Sequence, residues 1–308
     1  METVLQYRSA CFEERLDGGL RSPSPSSLRS YLVFVRAGDD SWHQRLLREN
    51  PDRNWDCCVN WYVEPHEEDA AEFYITAQRS FNKLDGFLEF KQKFFPQSWP
   101  YRYVLLLDDD VYLRPGDLTY FFSLCDYYQT YLSQPALRWF THTTLNSLVR
   151  NPACLLRQVS FVEGMAPCFS AAALAELLHT FNWTKSVWGT DWAWGGILQD
   201  RAAVHVVDAV AMDHTRTGNG RTTLFYQKLR AIGVDPGEDL RRMQQQFPRF
   251  PGPRTLKNGH VFGPKVPKNA AHTLMLVFER LKFIVRMRKK FLRSWRTWRA
   301  RMQDLLLK

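Results

Sequence analysis

The sequence predicts an α/β protein, a mostly parallel sheet flanked by helices, with a basic amphipathic helix added at the C-terminal end. Three observations predict it. Short, nearly continuous apolar runs read as strands buried on both faces: Leu32-Val33-Phe34-Val35, Cys57-Cys58-Val59-Asn60-Trp61, Tyr103-Val104-Leu105-Leu106-Leu107 and Val204-His205-Val206-Val207. Helical patterns alternate with them, with Leu118, Phe121, Phe122, Cys125 and Leu132 on one face and Leu174, Leu177, Leu178 and Phe181 on another. The chain of 308 residues is 45% hydrophobic and 14% aromatic, enough to bury a large core, and it carries no internal repeat.

In chain order, residues 1–29 end in Arg21-Ser22-Pro23-Ser24-Pro25-Ser26-Ser27, a run that supports neither ladder nor helix and predicts a flexible lead-in. The catalytic-type α/β domain is expected over residues 30–246. Residues 247–268 hold Pro248, Pro251, Pro253, Pro264 and Pro267 with Gly252, Gly259 and Gly263, which predicts a linker without regular structure. Residues 269–308 form the last unit. Leu281, Ile284, Met287, Phe291, Trp295, Trp298, Met302 and Leu305 recur there at steps of three and four.

The formal charge of +9 sits entirely in that last unit. Residues 279–308 hold eleven basic side chains against two acids, which leaves the first 278 residues balanced at thirty of each. A helix with Trp295 and Trp298 on its apolar stripe and Arg288, Lys289 and Lys290 on its polar face suits an anionic membrane surface, at about 1 kcal/mol per basic residue. The lesser alternative is packing on the protein's own body or on a partner. Nucleic acid is disfavoured, because no reading surface or finger motif accompanies the charge. The longest apolar runs fall far short of the ~20 residues that span a bilayer. Glu13, Glu14 and Asp17 interrupt the place where a signal peptide needs hydrocarbon, so the expected location is the cytosol, peripherally at the membrane. The six cysteines show no metal-like spacing and read as ordinary buried thiols.

Three clusters carry chemistry. The strand at 103–107 runs into Asp108, Asp109 and Asp110, with no cation beside them in sequence. Like charges there raise one another's pKa unless a cation satisfies them, and alternation along an extended segment lets Asp108 and Asp110 converge on one ion, Mn²⁺ or Mg²⁺. The competing role is a helix N-cap, since Pro115-Gly116-Asp117 follows. Next, Trp188, Trp192 and Trp194 surround Gly189, Asp191, Gly195 and Gly196. Flat indole faces stack on sugars and Asp191 is placed as general base, unless the tryptophans are core and Asp191 caps a helix. Third, Asp208, Asp213, His214 and Arg216 follow the strand at 204–207. Neutral imidazole can join carboxylates on a divalent ion, and a guanidinium can grip a phosphate.

In order along the chain, the segments Leu32-Val33-Phe34-Val35-Arg36-Ala37-Gly38-Asp39-Asp40-Ser41, Asp108-Asp109-Asp110, Gln134-Pro135-Ala136-Leu137, Phe161-Val162-Glu163-Gly164-Met165-Ala166-Pro167-Cys168-Phe169-Ser170, Trp188-Gly189-Thr190-Asp191 and Val207-Asp208-Ala209 to His214-Thr215-Arg216 resemble the domain-of-unknown-function 707 family over roughly residues 31–220. That family in turn resembles glycosyltransferases of the Rossmann-like GT-A fold, whose Asp-x-Asp motif ends a strand and holds the metal on a nucleotide-sugar diphosphate. The resemblance implies Asp108, Asp110 and His214 as metal ligands and Asp109, Arg216, Arg36, Gly38 and Asp39 around the donor. It implies Asp191 as inverting base, with Glu163 the competing acid, and Trp188, Trp192 and Trp194 around the acceptor. Thr190-Asp191 departs from the usual Glu-Asp pair of the base motif. The expected activity is metal-dependent transfer of a sugar from a nucleotide-diphosphate sugar to a glycan or lipid-linked acceptor. The rivals are a metal-dependent phosphohydrolase and a nucleotide-sugar-binding pseudoenzyme or membrane scaffold.

Overall fold

The computed structural model describes residues 28–63, 71–76, 81–139, 141, 143, 145–152, 154–199, 201, 203–216 and 224–256. The basic helix expected over 269–308, with Trp295, Trp298, Arg288, Lys289 and Lys290, lies outside the described residues, as do residues 1–27. No described helix is long and apolar enough to cross a membrane.

The fold is a mixed α/β sheet with flanking helices. Strands β1 (Tyr31–Ala37), β2 (Trp55–Trp61), β3 (Phe73–Thr76) and β4 (Tyr103–Asp108) lie side by side in the order β3-β2-β1-β4, all parallel. The apolar runs of β1, β2 and β4 are buried on both faces, as a parallel strand between helix layers requires. The buried acid of β2 is matched: Asp56 accepts from Arg29 Nη1 at 2.7 Å and from the Tyr101 hydroxyl at 3.0 Å. Helix α1 (His43–Arg48) follows β1, and α2 (Lys83–Phe94) precedes β4. Asn82 caps α2 by accepting from the Asp85 amide at 2.9 Å, and Leu84, Phe87 and Phe90 bury its apolar face.

Beyond β4 the strand directions are mixed. After the short β5 (Val111–Tyr112) and α3 (Asp117–Tyr127) come β6 (Leu132–Leu137), β7 (Arg157–Gln158), β8 (Cys168–Ser170) and β9 (Val204–His214). β8 runs antiparallel between β4 and β6, β6 pairs parallel with β9, and β5 and β7 pair antiparallel with β9. Leu132 therefore belongs to β6 rather than to the apolar face of α3. The chain leaves that helix at Tyr128 and turns through Gln129, whose φ is 50°. Leu178 likewise opens a single 3₁₀ turn, Leu178–Thr180, after α4 (Ala171–Leu177) ends.

The remaining helices are α5 (Thr190–Leu198), α6 (Leu224–Ala231) and α7 (Pro236–Gln246), with α5 packed on α7. β9 bulges opposite Pro135-Ala136, where its partner residue jumps from Val207 to Ala211. Within the bulge Asp208 is fully buried and bound to Arg157 at 2.8 Å, so this acid serves the sheet.

Residues 247–256, expected as part of a linker, pack on the body. Phe250 is buried and meets Trp192 edge-on at 5.0 Å, Phe247 stacks on Trp183 at 6.4 Å, and Ser160 and Arg254 exchange hydrogen bonds. The prolines exclude a regular element, but the two phenylalanine rings still find apolar cover over Gly195 and Gly196. Replacing Phe250 with alanine should cost about 3–5 kcal/mol in chemical denaturation of the full chain. A loss below about 0.5 kcal/mol would mean the segment is not docked.

Candidate active site

Four segments meet where β4 ends. β4 places Asp108, Asp109 and Asp110 at its carboxyl edge, level with Arg36 in β1. The chain entering β8 runs back along β4, with the Asp108 amide bonded to the Met165 carbonyl at 2.9 Å, which brings Glu163 and Gly164 beside the acids. β5 pairs Val111 with His214 at the end of β9, so Asp110 and His214 become neighbours. The first turn of α5 carries Asp191, whose Oδ2 accepts from the Gly164 amide at 3.3 Å. Because α3 starts at Asp117 with Gly116 at its N-cap, none of the three acids caps a helix.

Each acid is met by a different basic side chain. Asp108 lies 2.6 Å from the Lys83 ammonium. Asp109 lies 3.0 Å from Arg216 and accepts from the Tyr62 hydroxyl at 2.6 Å. Asp110 Oδ2 lies 3.2 Å from His214 Nε2. Burial pushes the Asp108 and Asp109 pKa values up, against the pull of Lys83 on the first and of Tyr62 and Arg216 on the second. Burial also acts on Asp110, but His214 and Arg216 outweigh it and hold this carboxyl below its usual range.

Two further acids face the same space. Glu163 is pushed up to about 7 by burial, then by Asp191 and the β4 acids, and its Oε2 is buried without a hydrogen-bond partner. Asp191 is raised to about 6 by burial, while backbone N–H groups around it, Gly164 and Trp192 among them, pull it back. Asp191 does sit in the first turn of a helix, but the N-cap is Gly189, and its carboxylate spans from the Trp192 amide at 2.9 Å to the Gly164 amide.

Donor-side expectations divide. Gly38 is required by packing, since a Cβ there would stand 2.2 Å from the Tyr62 hydroxyl oxygen. Asp39 is exposed on the same loop. That loop is tied to the acids, with Trp42 N bonded to the Asp109 carbonyl at 2.9 Å and Arg216 Nη2 to the Asp40 carbonyl at 2.9 Å. Arg36 is spent on structure: Nη1 donates to Asn60 Oδ1 at 2.7 Å and to the Asn82 carbonyl at 3.0 Å, and burial lowers its pKa to about 10. Asp109 is likewise engaged on both sides, which makes it a positioning group for Arg216 rather than a free ligand.

Of the three tryptophans expected around the acceptor, Trp194 is closed off. It is fully buried against Phe169 at 5.1 Å and bonded to Thr180 Oγ1 at 2.8 Å. Trp192 is half-buried, with Phe250 and Gly252 packed beside it. Both lie on α5, whereas Trp188 precedes the helix and is 46% exposed. Val187 at φ 68° and Gly189 at φ 86° make the turn that presents it. A left-handed β-branched residue costs about 1–3 kcal/mol, and such strain concentrates at working sites.

Sequence reasoning passed over Lys83, Tyr62, Gln134 and Tyr226. Gln134 is fully buried and accepts from the Glu163 amide at 2.6 Å, and the Tyr226 hydroxyl accepts from Trp188 Nε1 at 2.8 Å. Gln134 stands in one of the segments that carry the family resemblance, which gave it no role. Nothing near Lys83 or Tyr226 in sequence marks them.

Among the described residues no three His, Cys, Asp or Glu side chains stand close enough together to hold a metal ion. The Asp110–His214 pair fits two positions of a shared divalent ion, one oxygen and one nitrogen donor at contact distance. Asp108, expected as a third ligand, is turned to Lys83 instead.

No family model and no curated protein sequence matches the chain, so the family resemblance rests on the quoted segments alone. Among solved structures the chain is similar to GalNAc-T7 with UDP, GalNAc and Mn²⁺, at 10% identity and a TM-score of 0.48 over 71% of this chain and 48% of that one. It thus spans about half the length of GalNAc-T7. It is also similar to S. aureus TarS 1–349, at 10% identity and a TM-score of 0.44 over 72% and 74% of the two chains, and to the same protein with UDP-GlcNAc at 0.43. At such values, what the site does must be read from its own residues.

The raised carboxyls fix the sign of a pH effect. Glu163 and Asp191 bind protons more tightly folded than unfolded, so their contribution to stability falls as pH rises from about 4 through about 7. Glu163→Gln should therefore melt a few degrees above the unmodified protein at pH 8 and level with it near pH 4. Equal melting at both values would mean the Glu163 carboxylate is fully solvated.

Proposed function

We propose that the chain is a GT-A-type glycosyltransferase that moves a sugar from a nucleotide-diphosphate sugar to a hydroxyl acceptor. One observation carries the proposal: a polar-lined strand edge gathers a carboxylate–imidazole pair, a guanidinium and two acids raised toward neutrality, Glu163 and Asp191, in one place. Asp110 and His214 would hold Mn²⁺ or Mg²⁺. When bound, that ion supplies positive charge against the departing diphosphate.

The remaining work falls to the protein's own side chains. Arg216, braced by Asp109, Tyr62 and the Asp40 carbonyl, offers a fixed positive charge to diphosphate oxygens. Asp191 is the general base. Its ionised form is hydrogen-bonded by backbone amides and it titrates near 6, so at neutral pH it is ready to take the acceptor proton. Glu163 has no such donors and titrates near 7. Kept partly protonated, it can donate a hydrogen bond to a ligand oxygen without competing as base. Attack by the deprotonated hydroxyl at the sugar carbon, on the face opposite the leaving diphosphate, gives inversion. The exposed face of Trp188, fixed by Tyr226, suits the C–H face of an acceptor sugar.

The proposed location of the acceptor is supported by the basic, amphipathic sequence of residues 279–308. A peripheral position at the cytosolic face of an anionic membrane, and a glycan or lipid-linked acceptor there, complete the proposal. Protein lacking residues 271–308 should fail to co-sediment with anionic liposomes while keeping its donor-induced stabilisation; continued co-sedimentation would remove the tail as anchor.

The donor site is tested by thermal melts with a panel of nucleoside diphosphates, with and without Mn²⁺. Ligand at 100 times its Kd adds about 2.7 kcal/mol. The expected result is a metal-dependent shift with one nucleotide, absent in Asp110→Ala. Asp191→Asn should keep that shift and lose about 10²–10⁴ in transfer rate. Full transfer in Asp191→Asn would move the base to Glu163, and no shift with any nucleotide would end the transferase reading.

A further inference from the structure

A buried ammonium lies directly behind the acid edge. Lys83 is the first residue of α2, held in place by the Asn82 cap, and its side chain is 4% exposed. Its Nζ lies 3.0 Å from the Leu106 carbonyl, 2.7 Å from that of Gly164, 3.1 Å from that of Met165 and 2.6 Å from Asp108 Oδ1. Three N–H donors thus meet four oxygens, all of them on β4 or on the segment that runs beside it. An ammonium so enclosed cannot swing aside when a ligand arrives.

Asp108 is differently placed. It is only half-buried, and Asp110, two residues on in the extended chain, is the carboxylate that touches His214. Asp108 and Asp110 stand two residues apart at the same strand end, so a carboxylate released from Lys83 would add a third candidate donor beside the Asp110–His214 pair.

We propose that Lys83 acts as a built-in cation for Asp108, competing with a divalent ion for that carboxylate and so holding the metal affinity of the acid edge low. Lys83 is in this sense a positioning residue, fixing Asp108 and the Gly164–Met165 turn that precedes Ala166 and follows Glu163. The inference rests on the proposed metal site at Asp110 and His214. Its consequence is that the ion binds firmly only when a ligand brings further oxygens, because the protein alone supplies two donors. Divalent ions with open positions for phosphate oxygens suit that arrangement.

The test measures Mn²⁺ binding to the full chain by the loss of free-ion electron paramagnetic resonance signal, without nucleotide. Lys83→Met should tighten Mn²⁺ binding about tenfold, and adding Asp108→Asn in the same chain should return the affinity to within about threefold of the unmodified protein. Unchanged or weaker binding in Lys83→Met overturns the proposal. If that variant does not fold, the Lys83→Met/Asp108→Asn pair decides, since replacing a buried ion pair by neutral groups is often tolerated. Affinity within threefold of the unmodified protein supports the inference, and a loss of tenfold or more shows Asp108 already ligating the ion. Failure of the metal-site reading looks different. Should Asp110→Ala bind Mn²⁺ as well as the unmodified protein while Lys83→Met binds more tightly, the inference about Lys83 stands and the assignment of Asp110 falls.

Discussion

Three adjacent carboxylates at the end of a strand buried on both faces need three counter-charges, and the arrangement of the molecule around β4 answers that need. In sequence the acids stand without a cation. In the fold, Lys83 arrives from the helix before β4, Arg216 from beyond β9 and His214 from its last residue. The acids therefore do not by themselves require an ion to exist. What they require is that α2 begins, and β9 and β4 end, at the same level of the sheet.

That coincidence follows from topology. An all-parallel half, β3-β2-β1-β4, puts every carboxyl end on one edge, where an open α/β sheet binds its ligands. The antiparallel β8 then feeds Glu163 to the same edge from the opposite direction, and the short β5 folds back on β9 to set His214 against Asp110. A mixed sheet does here what a purely parallel one could not, since it delivers chain from both directions to one end.

The class of fold was legible because buried strands betray themselves as apolar runs, and all four expected runs lie inside strands. β6 and β8 were not, since Leu132-Ser133-Gln134-Pro135 and the three residues of β8 are too polar or too short for periodicity to mark. In the site, the acids, His214 and Arg216 could be found as chemistry at strand exits. Lys83 could not, because a lysine at the start of an amphipathic helix reads as solvated until tertiary structure closes over it. The tryptophans misled for a related reason. The local sequence shows three indoles and cannot show that α5 buries Trp194 in the core.

The partners of the three acids differ in how readily they yield, and that order decides which acid is free for chemistry. Lys83 is enclosed by four oxygens and keeps Asp108. Arg216 bridges Asp109 to the Asp40 carbonyl and keeps it while still presenting guanidinium to the open side. His214 differs in kind, meeting Asp110 through one ring nitrogen, Nε2, an atom type that can also serve as a metal donor. Asp110 is held by the longest of the three contacts to basic side chains, 3.2 Å against 2.6 Å for Asp108 and 3.0 Å for Asp109. The edge thus carries two closer pairs, at Asp108 and Asp109, and a looser one at Asp110. Such a division lets a single strand end serve both as a load-carrying part of the sheet and as a place for ligands to bind.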